Sequence, residues 1–213
     1  MTLLQVLSIV LILSTLGLLW IKRIATAIKI LSLQSLILGL MAMLIARQMG
    51  IVDLYAMAGL TILMKAIGIP GILWYTLRKI GVQRETEKLV GRELSLICGG
   101  GLLAIGYIVT ARLHISVPNL SHEYLPISIA MQLIGLFIMI THQKAIMQGI
   151  GLVVMENGLF LVALVTTYGM PFLVDIGVFL DVFVAVILIS MLTYRIDKTF
   201  QSTHTENLRR LRG

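Results

Sequence analysis

The stretch IMQGIGLVVMENGLFLVALVTT, residues 146–167, decides how this chain folds. Between Gln148 near its start and the threonines that close it, it is apolar except at Glu156 and Asn157, which sit halfway along it. A helix of about 20 apolar residues crosses roughly 30 Å of hydrocarbon. A charge at the centre of such a helix costs about 2.5–3.5 kcal/mol on insertion scales and therefore needs a reason to be there. Two other apolar stretches repeat the pattern. Lys65 lies halfway along 54–77, and Asp181 lies halfway along 173–194.

Composition extends the reading to the whole chain. Of 213 residues, 58% are hydrophobic and 13% charged, with a mean hydropathy of +0.99. Soluble domains carry roughly 25% charged residues, and a water-soluble chain this apolar would expose large aggregating patches. Seven spans are expected: 3–20, 24–46, 54–77, 94–111, 126–141, 145–167 and 173–194. Lipid admits only helices or closed barrels, and the apolar–polar alternation of a barrel strand is absent. The fold class expected is an all-α polytopic membrane bundle. Four helices precede residue 113 and three occupy 126–194. The tail, 195–213, is basic. In the third span, Gly68, Pro70 and Gly71 predict a kink, because proline removes a backbone donor and clashes one turn back. On one face of the membrane, Arg47 and Asp53 are expected to pair.

Basic residues set the orientation. Lys22, Arg23, Arg78, Lys79, Arg84, Lys88, Arg92, Lys144, Arg195 and Lys198 all fall on one side of a seven-span chain, whereas Arg47 and Arg112 fall on the other. This places the N-terminus outside and the C-terminus in the cytoplasm. The first span is not expected to be a cleaved leader, since its basic residues follow the apolar run. The net charge of +7 is spread between spans and forms no single basic face, which argues against nucleic acid as a partner. Membrane lipid is the expected surroundings, with anionic headgroups against the tail. The lone Cys98 can neither form an intrachain disulfide nor hold an iron–sulfur cluster, and no His or Cys spacing suggests a metal site. His114 and His122 read as surface histidines.

Chemistry is expected at the three buried charges. At 1.5 Å per residue, Glu156 lies roughly 16 Å and Asp181 roughly 20 Å from the inner ends of their helices, so both are near mid-depth. Lys65 is at a similar level. A carboxyl held out of water is a proton carrier, because its charge can be traded against that of a nearby cation. Glu156, Asp181 and Lys65 are thus the candidate proton-pathway residues. Gln34, Asn157, Gln148 and Asp175 are candidate polar relay groups, with room for water between them. The competing structural reading pairs Lys65 with Glu156 or Asp181 merely to neutralise charge and fix helix register.

The string QGIGLVVMENGLFL, followed by VDIGVFLDVFVAVILISMLTYRI, resembles component E of hydrogenase-4 and its relatives among the membrane-bound group 4 hydrogenases. Gln34–Ser35, Lys65 before Pro70, and the closing NLRRLRG extend the resemblance over nearly the whole chain. More distantly, the last two spans look like those of the K-type subunit of respiratory complex I. There Asp181 falls at the second intramembrane glutamate, and Glu156 lies about one turn from the first; four additional helices depart from that pattern. The resemblance implies a prokaryotic inner-membrane subunit of a redox-driven complex that moves protons or another ion. Implied partners are antiporter-like membrane subunits, a quinone-oxidoreductase-like anchor subunit and a cytoplasmic hydrogenase arm. The nickel–iron site and iron–sulfur clusters are implied on those partners, with no cofactor on this chain and no catalysis by it. A scaffold without ion transport, or a cation/proton antiporter subunit, are the competing readings.

Overall fold

The computed structural model describes residues 3–80, 89–112, 120–166, 183 and 185–187. All regular structure among them is helical. Helix α1 spans Leu3–Trp20, α2 Ile24–Met49, α3 Val52–Leu60, α4 Ile69–Ile80, α5 Arg92–Arg112, α6 Leu120–Thr141 and α7 Ala145–Thr166. A π-helical segment, Thr61–Gly68, joins α3 to α4, so that these three elements make one continuous third span. Six helices among the described residues are long and apolar enough to cross a membrane. The chain is a polytopic membrane bundle, as expected. The expected seventh span lies largely outside the described residues. Phe183 and 185–187 are helical, and Val186 is fully buried against the core formed by Leu18, Ile28, Ile69 and Val153.

Small residues set the arrangement. Lipid gives helices no hydrophobic reason to associate, so close backbone approach and dispersion must do so. At the α6–α7 crossing, a Cβ on Gly135 would sit 2.6 Å from the Met155 nitrogen, and one on Gly151 would sit 2.8 Å from the Gly135 carbonyl. Gly158 is equally tight against the Ser128 carbonyl, 2.7 Å from a Cβ placed there. Gly106 lets α5 approach α6 at Pro126 and Ala130, and Gly39 lets α2 approach the π segment at Ile62. The result places α7 at the centre. It packs on α6 and α2, and most of its residues, Glu156 and Asn157 included, are buried. Helix α5 is peripheral, with Leu94, Ile97, Ile105 and Ile108 facing outward.

Three expectations change. The fifth span begins at Leu120 rather than 126, and Pro126 lies inside the helix. As the seventh residue of α6, Pro126 removes one intrahelical hydrogen bond, and α5 packs closely on its carbonyl at Gly106. The break in the third span is the π segment, which ends at Gly68, ahead of Pro70. Pro70 cannot donate to the carbonyl four residues back, that of Ala66; instead the Ser32 hydroxyl of α2 donates to it. A hydroxyl from a neighbouring helix is one way proline is accommodated in lipid. Finally, Arg47 and Asp53 do not pair. Arg47 lies in the last turn of α2 and Asp53 in the first turn of α3, so each complements its own helix dipole. Between them Gly50 takes a left-handed φ of 69° and donates its N–H to the Ala46 carbonyl, a glycine C-cap that turns the chain back.

Candidate functional site: a buried Lys–Glu pair at mid-depth

Helix α7 carries Glu156 into the middle of the bundle, eleven residues after its first residue, Ala145. The third span brings Lys65 to the same level. Its side chain is fully buried, and its Nζ lies 2.6 Å from Glu156 Oε1. One turn beyond Glu156 on α7, the Phe160 ring lies under the same ammonium, 5.4 Å from centroid to Nζ. A carboxylate and an aromatic face from one helix therefore enclose a cation from another. Asp181 and Asp175, the other expected acids, lie outside the described residues.

The π segment is what aims Lys65. A π turn holds an extra residue compared with an α turn, and such irregularities recur at functional sites. Against α2, the register is bracketed by the Ser32 hydroxyl on the Ala66 carbonyl and by Gly39 on Ile62. Gln34 and Ser35 lie between these two contacts, at the level of Lys65. Both are fully buried, as are Thr61 and Asn157.

This level of the bundle is polar but under-satisfied. The Gln34 amide donates to Ser14 Oγ at 3.1 Å and to Thr15 Oγ1 at 3.0 Å, and both hydroxyls donate to the Leu11 carbonyl. Among the described residues, Gln34 Oε1, Ser35 Oγ, Thr61 Oγ1, Glu156 Oε2 and the whole Asn157 amide have no hydrogen-bond partner. Buried polar atoms in native proteins are otherwise nearly all satisfied, by protein or by ordered water. A polar level with several open positions beside an ion pair has the chemistry of a hydrated relay.

The structure thus brings together Lys65 and Glu156, with Asn157 buried next to Glu156 on α7 and Gln34 at the same level on α2. Gln148 is elsewhere. It lies near the start of α7, and its amide donates to the His142 carbonyl at 3.1 Å, closing the α6–α7 turn. Buried His142 accompanies it, with Nδ1 2.9 Å from the Ile138 carbonyl. Sequence reasoning did not find Phe160, Thr61, Ser14, Thr15 or Ser32. Phe160 follows Glu156 at the i, i+4 spacing that stacks side chains on one helix face, a signal that was there to be read. The other four are ordinary helix hydroxyls whose importance depends on which helix they face. Among the described residues no group of three or more His, Cys, Asp or Glu side chains is placed to hold a metal ion.

No family model matches the chain, and no solved structure matches it. An uncharacterized protein of Mycobacterium tuberculosis is 29% identical over 206 residues, covering 95% of this chain and 92% of its own. Hydrogenase-4 component E of Escherichia coli K12 is 25% identical over 149 residues, 70% of this chain and 69% of its own. The corresponding protein of Shigella flexneri matches equally. The similarity to component E spans less of the chain than the resemblance in sequence motifs had implied. This all-helical membrane protein is distantly related to hydrogenase-4 component E.

Proposed function

We propose that this chain is a membrane-arm subunit of a redox-driven, complex-I-like assembly of the group 4 hydrogenase type, and that the Lys65–Glu156 pair belongs to its ion-translocating machinery. The observation that carries the proposal is the pair itself: two opposite charges, buried at mid-depth, 2.6 Å apart, beside unsatisfied polar groups. Ionisable groups facing a bundle interior commonly mark ion paths and proton relays. The distant relationship to component E points to the kind of complex. In this reading Glu156 exchanges a proton when Lys65 moves away from it, and Asn157 and Gln34 hold the water through which the proton arrives. Asp181 is a second carrier. The chain performs no redox step; the nickel–iron and iron–sulfur centres sit on a cytoplasmic arm. Antiporter-like and quinone-oxidoreductase-like membrane subunits are its neighbours in the cell membrane of a prokaryote.

The test has two parts. Copurification from native membranes should recover large nickel–iron and antiporter-like partners. In vesicles of that membrane, Glu156→Gln and Asp181→Asn should abolish redox-linked proton movement while electron transfer and assembly persist. Undiminished pumping in both variants would remove the carrier role. The close pairing of Lys65 with Glu156 also suits a scaffold reading, in which the charges only fix helix register. There, Lys65→Met combined with Glu156→Leu would alter assembly yield yet leave pumping intact in the complexes that form.

A further inference from the structure

One end of the bundle, where α1 and α4 finish and α2 and α5 begin, is crowded with cations that the buried pair does not use. Lys29 from the start of α2 and Arg78 from the end of α4 converge on a single indole. The Lys29 Nζ lies 5.9 Å and the Arg78 Cζ 5.6 Å from the Trp74 ring centroid. Each cation is exposed, and neither makes an ion pair with a described residue. The one acid described at this end is Glu93, in the first turn of α5. Two like charges gathered around one indole repel each other, and an anion within reach of both relieves that repulsion.

Directly along the third span from these cations runs an outward apolar rail. Tyr75, Gly71, Ile67 and Leu63 recur about once per turn through α4 and the π segment, and all four are exposed. Tyr75 is 64% exposed, and Ile67 and Leu63 are each 62% exposed. Gly71 faces outward, and a Cβ built there meets nothing within 4 Å, which leaves a notch in the rail beneath the aromatic ring. From Leu63 to Tyr75 the rail is at most roughly 18 Å long, about one leaflet of hydrocarbon.

We infer that this face is a binding site for an anionic phospholipid, its phosphodiester held by Lys29 and Arg78 beside Trp74 and one acyl chain lying along Tyr75, Gly71 and Ile67. Charge complementarity selects the anion, and the uninterrupted apolar rail below the cations selects a lipid over a soluble anion. Basic pockets between membrane helices recognise anionic headgroups in this way. A neighbouring protein helix would need small residues to pack closely, whereas this face presents Tyr75, Ile67 and Leu63 around a single glycine. The site lies on the bundle surface and is independent of the ion path.

The full-length chain, released from native membranes in mild detergent, would be examined by native mass spectrometry for retained phospholipid. Phosphatidylglycerol, phosphatidylcholine and inorganic phosphate would then be titrated against its thermal stability. We expect phosphatidylglycerol to be retained and stabilising, with phosphatidylcholine about tenfold weaker or more, because its choline cation cancels the phosphodiester charge and adds a third positive charge beside Lys29 and Arg78. Lys29→Gln with Arg78→Gln should remove that preference. Gly71→Leu, which fills the notch without changing charge, should weaken both lipids alike. Equal retention of the two lipids, or an unchanged preference in the double variant, would overturn the site. So would stabilisation by inorganic phosphate equal to that by phosphatidylglycerol. A photoreactive residue at position 67 should label lipid in intact membranes; labelling of a polypeptide instead would show that a protein partner covers the face.

Discussion

Consider Lys65→Met, Glu156→Gln and the two together as a double-mutant cycle on stability. Among the described residues the Glu156 carboxylate has one partner, Lys65 Nζ; its Oε2 has none. Removing the lysine therefore leaves a carboxylate in the bundle centre without compensation. Removing the carboxylate leaves an ammonium that keeps the Phe160 face at 5.4 Å, a contact of about 0.5–2 kcal/mol. Breaking one side of a buried pair typically costs about 3–5 kcal/mol. Lys65→Met is expected near the top of that range, and Glu156→Gln lower by roughly the cation–π contribution. The double variant contains neither charge. Its cost is then set by packing and by the unpaired buried amide, together about 1–3 kcal/mol. The two single costs therefore exceed the double by several kcal/mol, which is the signature of a directly coupled pair. Reversible unfolding in mixed micelles or bilayers, monitored by steric trapping, measures each corner. Additive costs, or a Lys65→Met variant as stable as the parent, would refute the reasoning, because they would mean that Lys65 and Glu156 are not each other's principal partners.

Gly151→Leu should be among the most damaging single changes, since the α6 backbone occupies the space a side chain would need; overpacking of about 1–3 kcal/mol or more should appear as a sharp loss of folded protein in membranes. Ser32→Ala should cost about 1–3 kcal/mol by orphaning the Ala66 carbonyl next to Pro70, and Pro70→Ala in the same chain should recover part of it, measured by the same unfolding assay. Gln34→Leu loses two hydrogen bonds to α1 and is expected to cost only about 1 kcal/mol, since bonds between membrane helices average well under that value each. If water held by Gln34 serves the ion path, this mild variant should slow proton movement far more than it lowers stability, and an unchanged pumping rate would exclude it from the path.

The hydrophobic runs determined by themselves that this is a helical membrane chain, because hydrocarbon leaves no other way to satisfy a backbone. They also located Lys65 and Glu156 at mid-depth, since a helix converts residue count into depth at a constant rise. Depth, however, is one coordinate of three. That Lys65 meets Glu156, with Phe160 closing the site, depends on the rotation of the third span about its axis. That rotation is set by a π segment the periodicity of apolar residues does not disclose. Gln148 shows the same limit: by residue type it belonged with the relay, but its place one turn into α7 sends it to the His142 carbonyl instead. Gly149, Gly151 and Gly158 are legible in the sequence as small packing residues, yet which helix each one meets is not, and Gly135 opposite Gly151 emerges only from the fold. Sequence set which groups are buried and how deep; the helix rotations and backbone contacts of the folded bundle decided which of them touch.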